Sequence, residues 1–138
     1  MNETGILPVV TRKLAPFVLL FGLYLVTYGH QTPGGGFQGG VVIASGVILL
    51  MLGQRPEAVD RRIKLRRFTL IESLALLVFL TAGAAGALVG GSFLTVIGPT
   101  GTSGAVHDAA FILVLNVVIG LKVGAGVTVI CYHLFAEE

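Results

Sequence analysis

Four long apolar stretches, Leu14–Tyr28, Phe37–Gly53, Phe68–Val89 and Ala109–Phe135, take up most of the chain and leave only short segments between them. A helix needs roughly 20 residues to cross about 30 Å of hydrocarbon. The third and fourth stretches meet that length outright, and the fourth can tilt. The first two are shorter, but each gains a turn from Val9-Val10 or Gly34–Gly36. None shows strict alternation, and lipid would leave an open sheet edge unsatisfied, so the stretches read as helices. Composition closes the soluble route. Charged residues are 12% of the 138 and hydrophobic ones 54%, against about 25% charged in a soluble domain. The sequence therefore predicts an all-α fold: one integral membrane bundle of four transmembrane helices over residues 1–138, with no soluble domain.

The formal charge of +2 does not signal nucleic acid, because of where the charges lie. All but one of the Lys and Arg fall at Arg12-Lys13 and between Arg55 and Arg67. The loop Gln54–Arg67 holds six of them against Glu57 and Asp60, whereas Gly29–Gly36 and Gly90–His107 hold none. Positive-inside logic puts the basic loop and both termini in the cytoplasm, with the glycine-rich loops on the other side. Interleaved aromatics of a single-strand binder are missing too. Arg12-Lys13 before Leu14–Val26 imitates a signal peptide, but no small-x-small site precedes Thr27, so an uncleaved chain is expected. A lone cysteine, Cys131, gives neither an internal disulfide nor a cysteine metal site and reads as a small buried hydrophobe.

Small residues recur at four-residue spacing in Gly36/Gly40/Ala44, Ala82/Gly86/Gly90 and Gly120/Gly124. Such ridges let helix backbones approach closely in a membrane, against sister helices or other subunits. The most unusual segment runs from Gly29 to Gly40, GHQTPGGGFQGG, half of it glycine. Pro33-Gly34 suits the centre of a type II turn. Gly34, Gly36 and Gly39 also satisfy the dinucleotide fingerprint, but that motif follows a strand, and here it joins two membrane spans. His30, at the mouth of the first span, either handles protons or is an interfacial histidine bonded to a turn carbonyl.

This segment closely resembles the signature G-H-x-x-P-G-G-G-F-x-G-G of the MnhB/MrpB family, which supplies the B subunit of Mrp-type multisubunit Na+/H+ antiporters. Relatives of that family sit in membrane-bound hydrogenase and sulfane reductase complexes. The resemblance extends over the whole chain, through its length, four spans, basic middle loop and small-residue-rich last helix. It implies a non-catalytic, cofactor-free subunit of the cell (cytoplasmic) membrane. Its implied partners are other small hydrophobic subunits, antiporter-like subunits related to respiratory complex I, lipid, and the ions Na+ and H+. The family's motif histidine and proline, matched by His30 and Pro33, look important for transport or assembly. Gln31-Thr32 and Gln38 depart from the antiporter version and lean toward the hydrogenase-type branch.

Ionisable groups inside spans are functional candidates, since each needs a partner or water. Lys122 lies fourteen residues after Asp108, about 21 Å along the fourth helix. Its best partner within the chain is Glu72, read as four residues into the third helix and about 6 Å from its cytoplasmic end. A partner from another subunit is the alternative, as is a lysine snorkelling to the cytoplasmic face, and Glu72 equally reads as an acid near a helix N-terminus stabilised by the dipole. Asn116 is about 240° around the helix from Lys122 and reads as an interhelical hydrogen bonder or a polar step in an ion path. Asp108 reads as the N-cap of the fourth helix. No nucleophile–base pair and no metal-ligand spacing stand out, so no enzyme site is expected. Two readings remain: an accessory subunit lining a Na+(cation)/H+ path, or a purely structural one that braces antiporter-like modules. An independent small multidrug-type transporter would carry a carboxylate in the first span, and Leu14–Tyr28 has none.

Overall fold

The computed structural model describes residues 5–29, 34–53, 65–90, 94 and 104–136. They form four helices, α1 (Ile6–Tyr28), α2 (Gly36–Leu52), α3 (Leu65–Gly90) and α4 (Gly104–Ala136), and no strand occurs among the described residues. α1, α3 and α4 are long and apolar enough to cross a membrane. α2 has 17 residues, about 26 Å of helix, at the lower limit for a span.

Three helices begin earlier than the apolar stretches suggest. α1 starts at Ile6, so exposed Arg12 and Lys13 lie inside it. α3 starts at Leu65 and takes in Arg66 and Arg67 from the basic segment, while residues 54–64 lie outside the described residues. α4 starts at Gly104. A change from apolar to charged side chains ends a hydrophobic run without ending a helix, because the backbone bonds continue and long basic side chains reach the interface from within it. Pro16 sits inside α1; the bond it removes is one a membrane helix tolerates when neighbours or hydroxyls compensate.

The helices are arranged around α2 and α4, with α1 against α2 and, more lightly, α4, and α3 against α4. The contacts are glycine contacts on both faces of α2. Toward α1, a Cβ on Gly39 would meet the Val26 side chain and the Gly22 carbonyl at 2.9 Å, and one on Gly46 would meet Leu19 at 2.8 Å. Toward α4, a Cβ on Gly40 would lie 2.7 Å from the Gly120 carbonyl, and one on Gly36 would run into the Asn116 carbonyl. Ala44, on the same ridge, is 0% exposed. Val26, buried at 4% exposure, fills the junction of three helices, since its side chain also lies 2.9 Å from the Cβ position of Gly120. The ridges Gly36/Gly40/Ala44 and Gly120/Gly124 thus pack on each other within the chain. In the third ridge Gly86 is buried and Ala82 half-buried.

The outer faces are apolar and uncovered. Leu70, Leu74 and Leu77 on α3, and Phe17, Leu20 and Phe21 on α1, are all more than half exposed. Water would penalise that surface, and lipid or neighbouring subunits would not. Every described threonine bonds its own helix: Thr11 to Leu7 O at 2.9 Å, Thr27 to Leu23 O at 3.0 Å, Thr69 to Leu65 O at 3.3 Å, Thr81 to Leu77 O at 2.9 Å and Thr128 to Gly124 O at 2.7 Å. Hydroxyls without water find such a carbonyl acceptor one turn back. Gly40→Leu should open the α2–α4 contact and destabilise the detergent-solubilised protein by about 1–3 kcal/mol, read as loss of the monodisperse peak after heating. Ser45→Leu on the exposed side of α2 should change stability by less than about 0.5 kcal/mol.

Candidate functional site

Helix α4 has two working faces. Asn116, Gly120 and Gly124 follow one another at four-residue spacing and carry the backbone against which α2 rests. Gly126 is two residues beyond Gly124, about 200° around the axis, and it meets α3. The Cβ position of Gly126 lies 3.0 Å from Glu72 Oε1 and 3.3 Å from its carboxyl carbon. Lys122 is one turn from Gly126 on the same face and is half-buried, as is Glu72. The structure therefore seats Glu72 against α4, and Lys122 lies on the same side of that helix, away from α2.

Glu72 lies farther from its helix end than the apolar run suggests. Because α3 begins at Leu65 and not Phe68, Glu72 stands seven residues into its helix, about 10 Å from the end. Gly126, which its carboxylate touches, is four residues from Lys122, an axial offset of about 6 Å. Glu72 also belongs to the packing stripe of α3. Leu65, Phe68, Glu72, Ala75, Phe79, Ala82, Gly83 and Gly86 are among the less exposed residues along the helix, at alternating three- and four-residue steps that mark one helix face. A carboxylate thus occupies a position where its neighbours are apolar or small.

Asn116 is half-buried on the α2-facing side of α4, its carbonyl against Gly36, so it and Lys122 point to different neighbours. Asp108 is not an N-cap: α4 is already helical from Gly104, four residues earlier, since nothing in Ala105-Val106-His107 stops a helix from continuing back beyond the first polar residue. His133, near the end of α4, donates from Nδ1 to Val129 O at 2.9 Å, and its ring meets Tyr132 edge-on. Among the described residues no group of three or more His, Cys, Asp or Glu could hold a metal. Cys131 is a half-buried free thiol.

His30, Pro33 and the proposed turn at Pro33-Gly34 lie outside the described residues, but the segment's two ends are in view. A Cβ on Gly29 would collide with the backbone of Gly35, so the chain leaves α1 and returns to start α2 at almost the same place. Gly35 has φ 144° and ψ 176°, a conformation that essentially only glycine adopts, and its carbonyl receives the Gly39 N–H at 2.9 Å. Gly36 and Gly39 of the dinucleotide-like spacing lie in α2, which follows a helix and not a strand, and both are covered by neighbouring helices. Sequence reasoning missed Gly22 and Gly126. The signal for Gly126 was available: two glycines separated by one residue on a membrane helix open opposite faces to close approach.

A four-helix membrane protein welded by glycine, with a carboxylate seated between its last two helices, is the class of protein that fold and site define. The family model described as a domain related to the MnhB subunit of Na+/H+ antiporter matches residues 6–129. The chain belongs to the MnhB family. It is 37% identical over 90 residues to the B subunit of the Na(+)/H(+) antiporter of Alkalihalophilus pseudofirmus, covering 65% of this chain and 62% of that one. The corresponding antiporter protein of Bacillus subtilis is 34% identical over 99 residues, covering 69% and 68%. Among solved structures, a chain of the membrane-bound sulfane sulfur reductase, an archaeal respiratory membrane complex, superimposes with a TM-score of 0.77 at 30% identity, covering 97% of this chain and 59% of that one. The chain thus spans somewhat over half to two thirds of the length of these relatives. Gly35→Ala should strain the start of α2 by about 1–3 kcal/mol; a lower unfolding midpoint of the purified chain would report it, and an unchanged one would show that the conformation is not required.

Proposed function

We propose that this chain is an accessory, non-catalytic subunit of a multisubunit Na+(cation)/H+-translocating complex in the cytoplasmic membrane. The observation that carries the reading is the double likeness. The B subunits of Na+/H+ antiporters share its sequence, and a chain of a respiratory membrane complex shares its fold over almost its full length. An Mrp-type module serving either a free-standing antiporter or a ferredoxin-driven respiratory or hydrogenase complex fits both. Its partners in this reading are the small hydrophobic subunits and the antiporter-like subunits related to complex I, with Na+ and H+ as the ions moved. The termini and the basic segment face the cytoplasm, in line with the distribution of Lys and Arg. His30, Pro33, Glu72, Lys122, Asn116 and Asp108 serve the ion path or assembly.

Membrane-depth charges support the transport role. A lysine near the middle of a helix and a carboxylate on the helix beside it are costly in hydrocarbon unless they have partners or water. The uncovered apolar faces of α1 and α3 are where other subunits or lipid would lie. A bracing role without any ion path is the second reading, and it draws support from the glycine contacts, which make the α1–α2–α4 core a close-packed unit.

His30→Ala and Lys122→Ala should each lower Na+-dependent H+ exchange in membrane vesicles by about tenfold or more, with the complex still assembled at the assay temperature. Normal exchange by both variants, or loss of the complex in place of loss of exchange, would favour the bracing role. Tryptic accessibility of the 54–64 segment in sealed, right-side-out vesicles tests the orientation: protection is expected, and cleavage would invert the topology.

A further inference from the structure

Glu72 is a carboxylate in the interface through which α3 chiefly joins the rest of this chain, and the residue it faces there on α4 is a glycine. A Cβ on Gly126 would stand 3.0 Å from Oε1 and 3.8 Å from Oε2, tighter than ordinary contact for the first. We propose that Gly126 is a positioning residue that seats the Glu72 carboxylate against α4, so that Glu72 and Lys122 form an ion pair across the α3–α4 interface within the membrane.

Three observations support the pairing. First, Glu72 lies in the same stripe as buried Ala75, Gly83 and Gly86, so it is aimed at α4 and not at lipid. Second, Lys122 is the basic residue of α4 nearest to the notch, one turn from Gly126 on the same face. Its four-carbon stem matches the helix pitch of about 5.4 Å that separates it from the seat. His133 shares that face two turns toward the helix end, but its Nδ1 is held by Val129 O. Arg66 and Arg67 precede Glu72 on α3 itself and are exposed, at about 240° and 140° from it around the helix. Third, opposite charges side by side in hydrocarbon relieve a cost that neither can relieve alone. Helix side chains lean toward the N-terminus, away from Gly126, so pairing requires the Lys122 stem to fold back along α4.

The pair does not depend on the transport role, because a bracing subunit could carry it equally well. Two sets of variants of the full chain, purified in detergent and followed by thermal unfolding, test it. Gly126→Ala should lower the unfolding midpoint by about 4 °C or more. Adding Glu72→Asp, which withdraws the carboxylate by one methylene, should recover at least half of that loss, whereas Glu72→Asp alone should gain nothing. Lys122→Met and Glu72→Gln should each lower the midpoint by a similar amount, since each strands a charge or a polar group, and the double variant should lie within about 2 °C of the unmodified chain. The proposal is overturned if the double variant falls by the sum of the single losses, if the single variants do no harm, or if Glu72→Asp fails to relieve Gly126→Ala. None of these outcomes bears on ion transport, which the vesicle assay reads separately.

Discussion

Close approach of helix backbones is the interaction on which the rest of this molecule depends. Lipid offers no hydrophobic drive for one apolar helix to seek another, so association rests on dispersion contacts and on hydrogen bonds across short distances. Gly36 and Gly40 on one side of α2, and Gly39 and Gly46 on the other, let it sink against α4 and α1 until carbonyls lie where a Cβ would be. Val26 fills the angle left between all three. With so little side-chain volume in the seams, α2 can be short and still be held along its whole length.

The same geometry decides where charge can sit. One face of α4 is committed to α2 through Asn116, Gly120 and Gly124, and the opposite face meets α3 at Gly126. Lys122 belongs to the second face. The close-packed α1–α2–α4 unit is therefore free of membrane-depth charge at the contacts described, while the α3–α4 seam holds the Glu72 carboxylate, with Lys122 one turn along α4 from the glycine it touches. α3 is less tied to the bundle than the other helices and carries more uncovered leucine. A carboxylate, fewer ties to the bundle and an exposed apolar flank coincide there.

Membership of the MnhB family joins this chain to the B subunits of antiporters, and the fold also joins it to a chain of a respiratory membrane complex. The glycine scaffold fixes the helix arrangement of this chain through backbone contacts. A core fixed by backbone contacts leaves the outer apolar faces free to be matched to different neighbours without disturbing the helix arrangement.

Hydropathy alone determined the four helices, because a backbone in lipid has no stable alternative to internal hydrogen bonding. Spacing of small residues determined two of the packing ridges, since four-residue repeats must share a helix face. The helix ends were not legible: an apolar run stops at the first charge, whereas α1, α3 and α4 continue through Arg12, Arg67 and Asp108. Lys122 and Glu72 stood out as isolated charges, but sequence separation says nothing about which helices are neighbours. Only the tertiary arrangement decided that α3 lies on the Gly126 side of α4, because the choice depends on which glycine face α2 has already taken. That placement sets the carboxylate against Gly126, on the side of α4 that also carries Lys122.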